Sequence, residues 1–129
     1  MKTHSEWNNT GYNSAMNLRT PLRYPGGKRK LADFMARLIS SNGLNGCDYV
    51  EPYAGGAGLA IELLRRVVVS NRWLNDIDKG ISAFWQLVLQ QPDLLCSMID
   101  RTEISIDEWE RQKIHIRSED PVKRGFAMF

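Results

Sequence analysis

Asp48-Tyr49-Val50-Glu51-Pro52-Tyr53-Ala54-Gly55-Gly56-Ala57-Gly58 is the stretch that decides the fold, together with the residues from Leu59 to Asp78. Tyr49 and Val50 read as an apolar strand running into Glu51-Pro52. Three glycines (Gly55, Gly56, Gly58) mark a turn, and Leu59, Ile61, Leu63 and Leu64 then recur as a short helix does. A second apolar run, Val67 to Leu74, ends in Asn75-Asp76-Ile77-Asp78. Parallel strands are therefore expected near 48–53 and 69–75. The order strand, glycine turn, helix, strand, acid opens a doubly wound α/β fold of the nucleotide-binding type.

The same order carries chemistry. Glycines between a strand and a helix accept positive φ and lack a Cβ, so a ligand can lie against the backbone. The helix that starts there directs unpaired N–H groups and the positive end of its dipole at that ligand. An acid closing the next strand can accept hydrogen bonds from both hydroxyls of a ribose. Asp76 follows Gly55 by 21 positions (76 − 55), against roughly 20 for that pairing. A glycine-rich turn with an unrelated surface aspartate is the alternative, and the placing of the acid favours a nucleoside.

Upstream, Arg23-Tyr24-Pro25-Gly26-Gly27-Lys28-Arg29-Lys30 breaks regular structure before a helix. In that helix Leu31, Phe34, Met35, Leu38 and Ile39 share one face, which is expected to be buried, and Asn42-Gly43 ends it. Lys28 thus stands on a glycine turn at a helix start, where its ammonium can reach a carboxylate or a phosphate. It also opposes the helix dipole there, so a merely solvated basic turn is the competing reading. Residues 1–20 are polar, rich in Asn, Ser and Thr, and aperiodic. They read as a flexible arm, with Met16 a second candidate start.

Downstream, Asp78 is placed to cap a helix whose buried stripe is Ile81, Phe84, Trp85, Val88 and Leu89, aromatics that read as core. Pro92 opens another helix, with Leu94, Leu95, Met98 and Ile99. Ser105 with Glu108 forms a capping-box pattern ahead of Trp109, and Asp120-Pro121 opens a last helix. Only two strands are legible, whereas a parallel sheet needs several and is covered on both faces. The chain accordingly reads as the cut-short first part of a larger domain.

With 129 residues, 43% hydrophobic and 25% charged, the composition is that of one globular domain. A formal net charge of +2 neither demands nor opposes a nucleic-acid partner. Cys47 and Cys96 are isolated and suit a reducing cytosol, so a cytoplasmic location is expected. His4 and His115 lack clustered ligands, so no metal is expected. No run is long and apolar enough for a membrane span, and no signal-peptide pattern opens the chain.

Taken together, these motifs resemble the Dam-like class of site-specific DNA adenine N6-methyltransferases, which use S-adenosylmethionine. The family's aromatic-x-Gly-Gly-Lys segment is matched by Tyr24-Pro25-Gly26-Gly27-Lys28. Its cofactor loop is matched by Glu51-Pro52-Tyr53-Ala54-Gly55-Gly56-Ala57-Gly58, and its acidic strand end by Asn75-Asp76-Ile77. The likeness runs from Pro21 to Phe129, with the segment from Thr102 to Gln112 similar to the family's helical continuation. It implies an incomplete Rossmann-like fold: residues 21–78 as the cofactor-binding part and 79–129 as a helical start of the target-recognition region. It further implies that Tyr24 and Lys28 lie at the cofactor, that Tyr53 and Gly55 wall its methionine part, and that Asp76 holds the ribose. Glu51 would contact the cofactor's ammonium. An upstream Tyr-Pro-Gly-Gly-Lys is also not something a dinucleotide site requires.

The resemblance fails in one place. The family's catalytic motif is Asp or Asn followed by Pro-Pro and an aromatic, and the five prolines here (Pro21, Pro25, Pro52, Pro92, Pro121) include no adjacent pair. Asp120-Pro121-Val122 reads as a helix cap, so no catalytic residue is assigned. Arg23, Arg29 and Lys30, with Lys28, Arg65 and Arg66, are candidate contacts to the phosphates of duplex DNA, or an ordinary basic surface. The expected function is thus that of an N-terminal portion of an adenine methyltransferase, inactive alone. The alternatives are a cofactor-binding remnant or split subunit needing a complementary chain to supply the rest of the sheet, and a small-molecule methyltransferase or nucleotide-binding enzyme with similar glycines.

Overall fold

A computed structural model describes residues 20–129. Apart from Thr20, the arm expected over residues 1–20 lies outside them. Among the described residues the chain is mixed α/β, with two strands and six α-helices. A 3-10 turn at Lys28–Leu31 leads into α1 (Ala32–Ser41). β1 (Cys47–Glu51), α2 (Gly58–Arg65) and β2 (Val69–Leu74) come next, then α3 (Lys79–Gln90), α4 (Pro92–Arg101), α5 (Ile106–His115) and α6 (Pro121–Ala127).

β1 and β2 pair in parallel, with Tyr49 opposite Arg72, Val50 opposite Trp73 and Glu51 opposite Leu74. Both strands begin and end within one or two residues of the expected limits, and α2 crosses between them as a short connecting helix. The second strand starts later than Val67 because α2 ends in a left-handed residue. Val68 N–H donates to Leu63 O at 3.1 Å and Val67 N–H to Leu64 O at 2.8 Å, which is a Schellman ending with Val67 at φ +56°. α1 ends the same way, with the expected Asn42-Gly43: Gly43 carries φ +69°, and Leu44 N–H donates to Ile39 O at 3.0 Å.

Two buried clusters hold the structure. One joins Leu22 and the turn residues Ala54 and Ala57 to Ile81, Phe84 and Trp85 of α3, with Leu95 of α4 and Phe126 of α6. The other packs Ala32 and Ile39 of α1 against Leu59 and Leu63 of α2 and Val69 of β2. α6 lies directly on α3: a Cβ on Gly125 would stand 2.7 Å from the Ala83 carbonyl oxygen. Asp78 caps α3 through Gly80 N–H at 2.7 Å, and Asp120 caps α6 through Val122 N–H at 2.9 Å. Ser105 accepts from Glu108 N–H at 3.2 Å, while the Glu108 carboxylate turns away to Arg111 and Gln112.

The stripe expected on α1 is corrected. Ala32 and Ile39 are buried, with Met35 and Ala36 beside them, whereas Leu31, Phe34 and Leu38 are exposed. α2 and β2 thus meet a narrower, alanine-containing face, one position away from the bulkier residues that the pattern favoured. On α3, Ile81, Phe84 and Trp85 are buried as expected, but Leu89 is exposed and Leu87 takes a core place. One sheet face also stays open. Val50 and Trp73, side by side across the strands, are each more than half exposed. No helix among the described residues is long and apolar enough to cross a membrane.

Candidate functional site

The two strands deliver their C-terminal ends to the same place. Asn75 N–H donates to Glu51 O at 3.0 Å and Ala54 N–H to Asn75 O at 2.9 Å, so the pairing continues one step past the strands into the glycine bend. This sets Asp76 beside Gly55, whose N–H donates to Asp76 Oδ2 at 2.9 Å. The other carboxylate oxygen accepts from Asp78 N–H at 3.0 Å. Each oxygen keeps a lone pair for a further donor, and the carboxylate is only half-buried.

α3 clamps this pair from the far side. Trp85 Nε1–H donates to Gly55 O at 2.8 Å, and Ser82 Oγ–H donates to Asp76 O at 2.9 Å. Neither contact was expected from the sequence, in which Trp85 reads as core alone. The available signal was their spacing: 82 and 85 lie one turn apart on the helix that Asp78 caps. The two side chains line a cleft of about 530 Å³ together with Ala54, Asp76, Arg72 and Gln86.

On the other side of the bend lies Glu51, which is 2% exposed. Its Oε2 accepts from Ala60 N–H, in the first turn of α2, at 3.3 Å. The helix has no side-chain cap from its own N-cap residue, Ala57, so a buried carboxylate from β1 serves its positive end instead. Oε1 accepts no hydrogen bond and meets the Lys28 ammonium at 3.0 Å, an ion pair outside hydrogen-bond geometry. Lys28 Nζ also donates to Tyr53 O. The carboxylate partner of Lys28 is therefore one of the chain's own side chains. Burial, and then the Glu51 charge, push the Tyr49 phenol up to about 12.

The glycines act differently from expectation. Gly55 takes φ +48°, as a left-handed bend requires, but so does Ala57, where a Cβ is tolerated. A Cβ on Gly55 would stand 2.8 Å from Tyr24 Cδ1, and one on Gly56 2.6 Å from the Leu22 carbonyl oxygen. What lies against the bare backbone is the chain's own 20–24 segment. Tyr24 is thereby brought to the bend, about half-exposed, while the Tyr53 ring is 70% exposed and turned to solvent. Tyr24, Lys28, Glu51, Gly55 and Asp76 thus converge, and Tyr53 joins them through its carbonyl rather than its ring.

Of the basic residues, Arg23 and Lys30 are exposed. Arg29, Arg65 and Arg66 surround Glu62, which is 3% exposed: Arg65 Nη2 donates to Oε1 at 2.7 Å, Arg66 Nε to the same oxygen at 2.8 Å, and Arg29 Nε stands 3.5 Å from Oε2. Hydrogen bonds from Arg65 and Arg66 hold the Glu62 carboxyl down at about 2. Arg66 also reaches Asp33 of α1 at 2.6 Å. Through these contacts Arg29 ties the 3-10 turn to α2 and Arg66 ties α1 to α2, while Arg65 pairs within α2. Among the described residues no three His, Cys, Asp or Glu side chains gather as a metal site would require.

Neither a curated protein nor a solved structure matches the chain. A family description does, over residues 24–120, and that span holds the Tyr24 to Lys28 segment, the glycine bend and Asp76. The chain belongs to the D12 class of N6 adenine-specific DNA methyltransferases.

Proposed function

We propose that these residues form the S-adenosylmethionine site of an adenine N6-methyltransferase, on what would be the first strands of a Rossmann-like sheet. One observation carries the reading. The N-terminus of α2, where a dinucleotide fold receives a pyrophosphate, is taken by the buried Glu51 carboxylate. An anion there would meet a second anion in a poorly solvated place, which is costly. A ligand whose charged groups include an ammonium and a sulfonium suits it. Glu51 Oε1, buried and accepting no hydrogen bond, faces the Lys28 ammonium at 3.0 Å and would share its charge with such an ammonium. Lys28 keeps donors for a carboxylate, and Asp76 keeps lone pairs for ribose hydroxyls.

The cofactor supplies an electrophilic methyl group when bound. What this chain contributes is holding and orientation: Gly55 and Trp85 fix the bend, Asp76 the sugar, and Glu51 with Lys28 the amino-acid end. The adenine amino group is a poor nucleophile until acceptors localise its lone pair, and the family does this with Asp or Asn and a proline carbonyl. No Asp-Pro-Pro-aromatic run occurs in these 129 residues. The chain alone therefore binds the methyl donor and does not methylate duplex DNA. Incubation with labelled S-adenosylmethionine and adenine-containing duplex should leave the DNA unlabelled, while equilibrium dialysis detects cofactor binding. Labelled DNA would overturn the assignment of an incomplete site, and absent binding would overturn the cofactor reading.

A second reading, a subunit that pairs with a complementary chain, is favoured by the open sheet face at Val50 and Trp73. Sedimentation of the chain with a separately expressed segment carrying an Asp-Pro-Pro-aromatic motif tests this: a faster-sedimenting complex would support it, and two unassociated species would refute it.

A further inference from the structure

Glu62 lies on α2, away from the bend, and makes no contact with Lys28, Glu51 or Asp76 among its hydrogen bonds and ion pairs. It is one of two buried charged residues among those described, the other being Glu51. A buried carboxylate ringed by three arginines stabilises less than its charges suggest, because desolvation offsets much of the attraction. Its geometry shows a different effect. Arg65 and Arg66 come from its own helix and its C-terminal end, but Arg29 comes from the 3-10 turn, directly after Lys28, and Arg66 passes the link on to Asp33 of α1. At the same junction a Cβ on Gly58 would stand 3.3 Å from Arg29 Cβ, so the turn rests on the start of α2.

The Lys28 ammonium is tied to Glu51 and to Tyr53 O, but the backbone beneath it has no such anchor of its own. Its turn has no side-chain cap, three consecutive cations (Lys28, Arg29, Lys30) repel one another there, and Gly26 and Gly27 precede it. A lysine stem has many rotamers, and holding its ammonium on those two partners costs more entropy when the backbone beneath it is not fixed. We infer that Glu62 is a positioning residue: by gripping Arg29 it fixes the turn that aims the Lys28 ammonium at the amino-acid end of the cofactor. This rests on the cofactor reading above.

The test compares two ligands on the whole chain by calorimetry, S-adenosylmethionine and 5′-methylthioadenosine, which lacks the amino-acid end. Wild type should prefer the former, and Lys28→Ala should abolish most of that preference. Glu62→Gln keeps the shape and removes the charge. It should weaken S-adenosylmethionine binding by about tenfold while changing methylthioadenosine binding less than about twofold. A merely structural role would weaken both ligands equally. Should Glu62→Gln not fold, Arg29→Gln, which removes the gripped cation, gives the same comparison, and Arg65→Gln, which leaves the Arg29 link intact, should leave the ratio unchanged. An unaltered ratio in folded Glu62→Gln, or in Arg29→Gln, overturns the inference alone. Absent wild-type binding, or an unaltered ratio in Lys28→Ala, overturns the cofactor reading and the inference with it.

Discussion

Replacing Gly56 by alanine separates two explanations of the glycine-dense bend. If the glycines serve only a ligand, Gly56→Ala should impair binding and leave stability intact. The structure says otherwise. The new Cβ would lie 2.6 Å from the Leu22 carbonyl oxygen and 3.2 Å from Thr20 Cγ2, where ordinary contact begins at 3.4 Å. A backbone oxygen cannot rotate away, so the 20–24 segment must retreat by roughly 0.8 Å. Overpacking of this kind costs about 1–3 kcal/mol. Lower entropy of the unfolded chain returns about 0.4–1 kcal/mol, since Gly56 is not at positive φ. The net loss is about 1–2 kcal/mol, or roughly 5–10 °C in Tm for a domain of this size. Thermal unfolding followed by circular dichroism measures it. Gly27→Ala is the control: its Cβ would meet nothing closer than Tyr24 O at 3.8 Å, and a neutral or slightly raised Tm is expected. An unchanged or raised Tm for Gly56→Ala would show that the 20–24 segment does not pack on the bend.

Trp85→Phe keeps most of the packing and removes the donor to Gly55 O. A stability loss of about 1–3 kcal/mol in urea unfolding is expected, and a loss below about 0.5 kcal/mol would refute the clamp. Val67→Gly relieves a left-handed valine whose side chain is 82% exposed, so stability should rise by about 1 kcal/mol in the same assay. Glu62 titrates near 2 when folded, below its ordinary 4.5, so its contribution is present above pH 4.5 and lost as pH falls toward 2. Its arginine partners are a third to a half exposed, which limits that contribution to about 1–2 kcal/mol. Acid unfolding of Glu62→Gln should show a correspondingly flatter pH dependence.

Much of the fold was legible because its signals are local. The capping aspartates, Pro92, the Asn42-Gly43 ending and the glycine bend each specify backbone geometry through residues at most a few positions away. The spacing from Gly55 to Asp76 was readable for the same reason, since one crossover of fixed length separates parallel neighbours. What failed to show depends on partners distant in sequence. Periodicity placed Phe34 and Leu38 inside with Met35 and Ile39, yet the face that α2 and β2 cover is that of Ala32, Met35, Ala36 and Ile39. The glycines pointed to close approach without naming what approaches, and Leu22 and Tyr24 lie more than thirty positions upstream. The sequence left the basic residues around Glu62 as phosphate contacts or an ordinary basic surface, and nothing in the run Arg65-Arg66 reveals the buried carboxylate that pairs with them. Trp85, correctly read as core, also supplies a hydrogen bond that no pattern of apolar residues can signal.

The Gly55 bend and the Asp76 carboxylate, held together at 2.9 Å, are proposed to grip an adenosine jointly, and every other assignment at the site depends on that grip. Calorimetric titration of the chain with S-adenosylmethionine, for wild type and for folded Asp76→Ala, tests it most directly. Losing the carboxylate's bonds to two ribose hydroxyls should cost about 1.5–3 kcal/mol, a tenfold to hundredfold rise in Kd. Equal affinity in the two proteins, with circular dichroism unchanged, would contradict it.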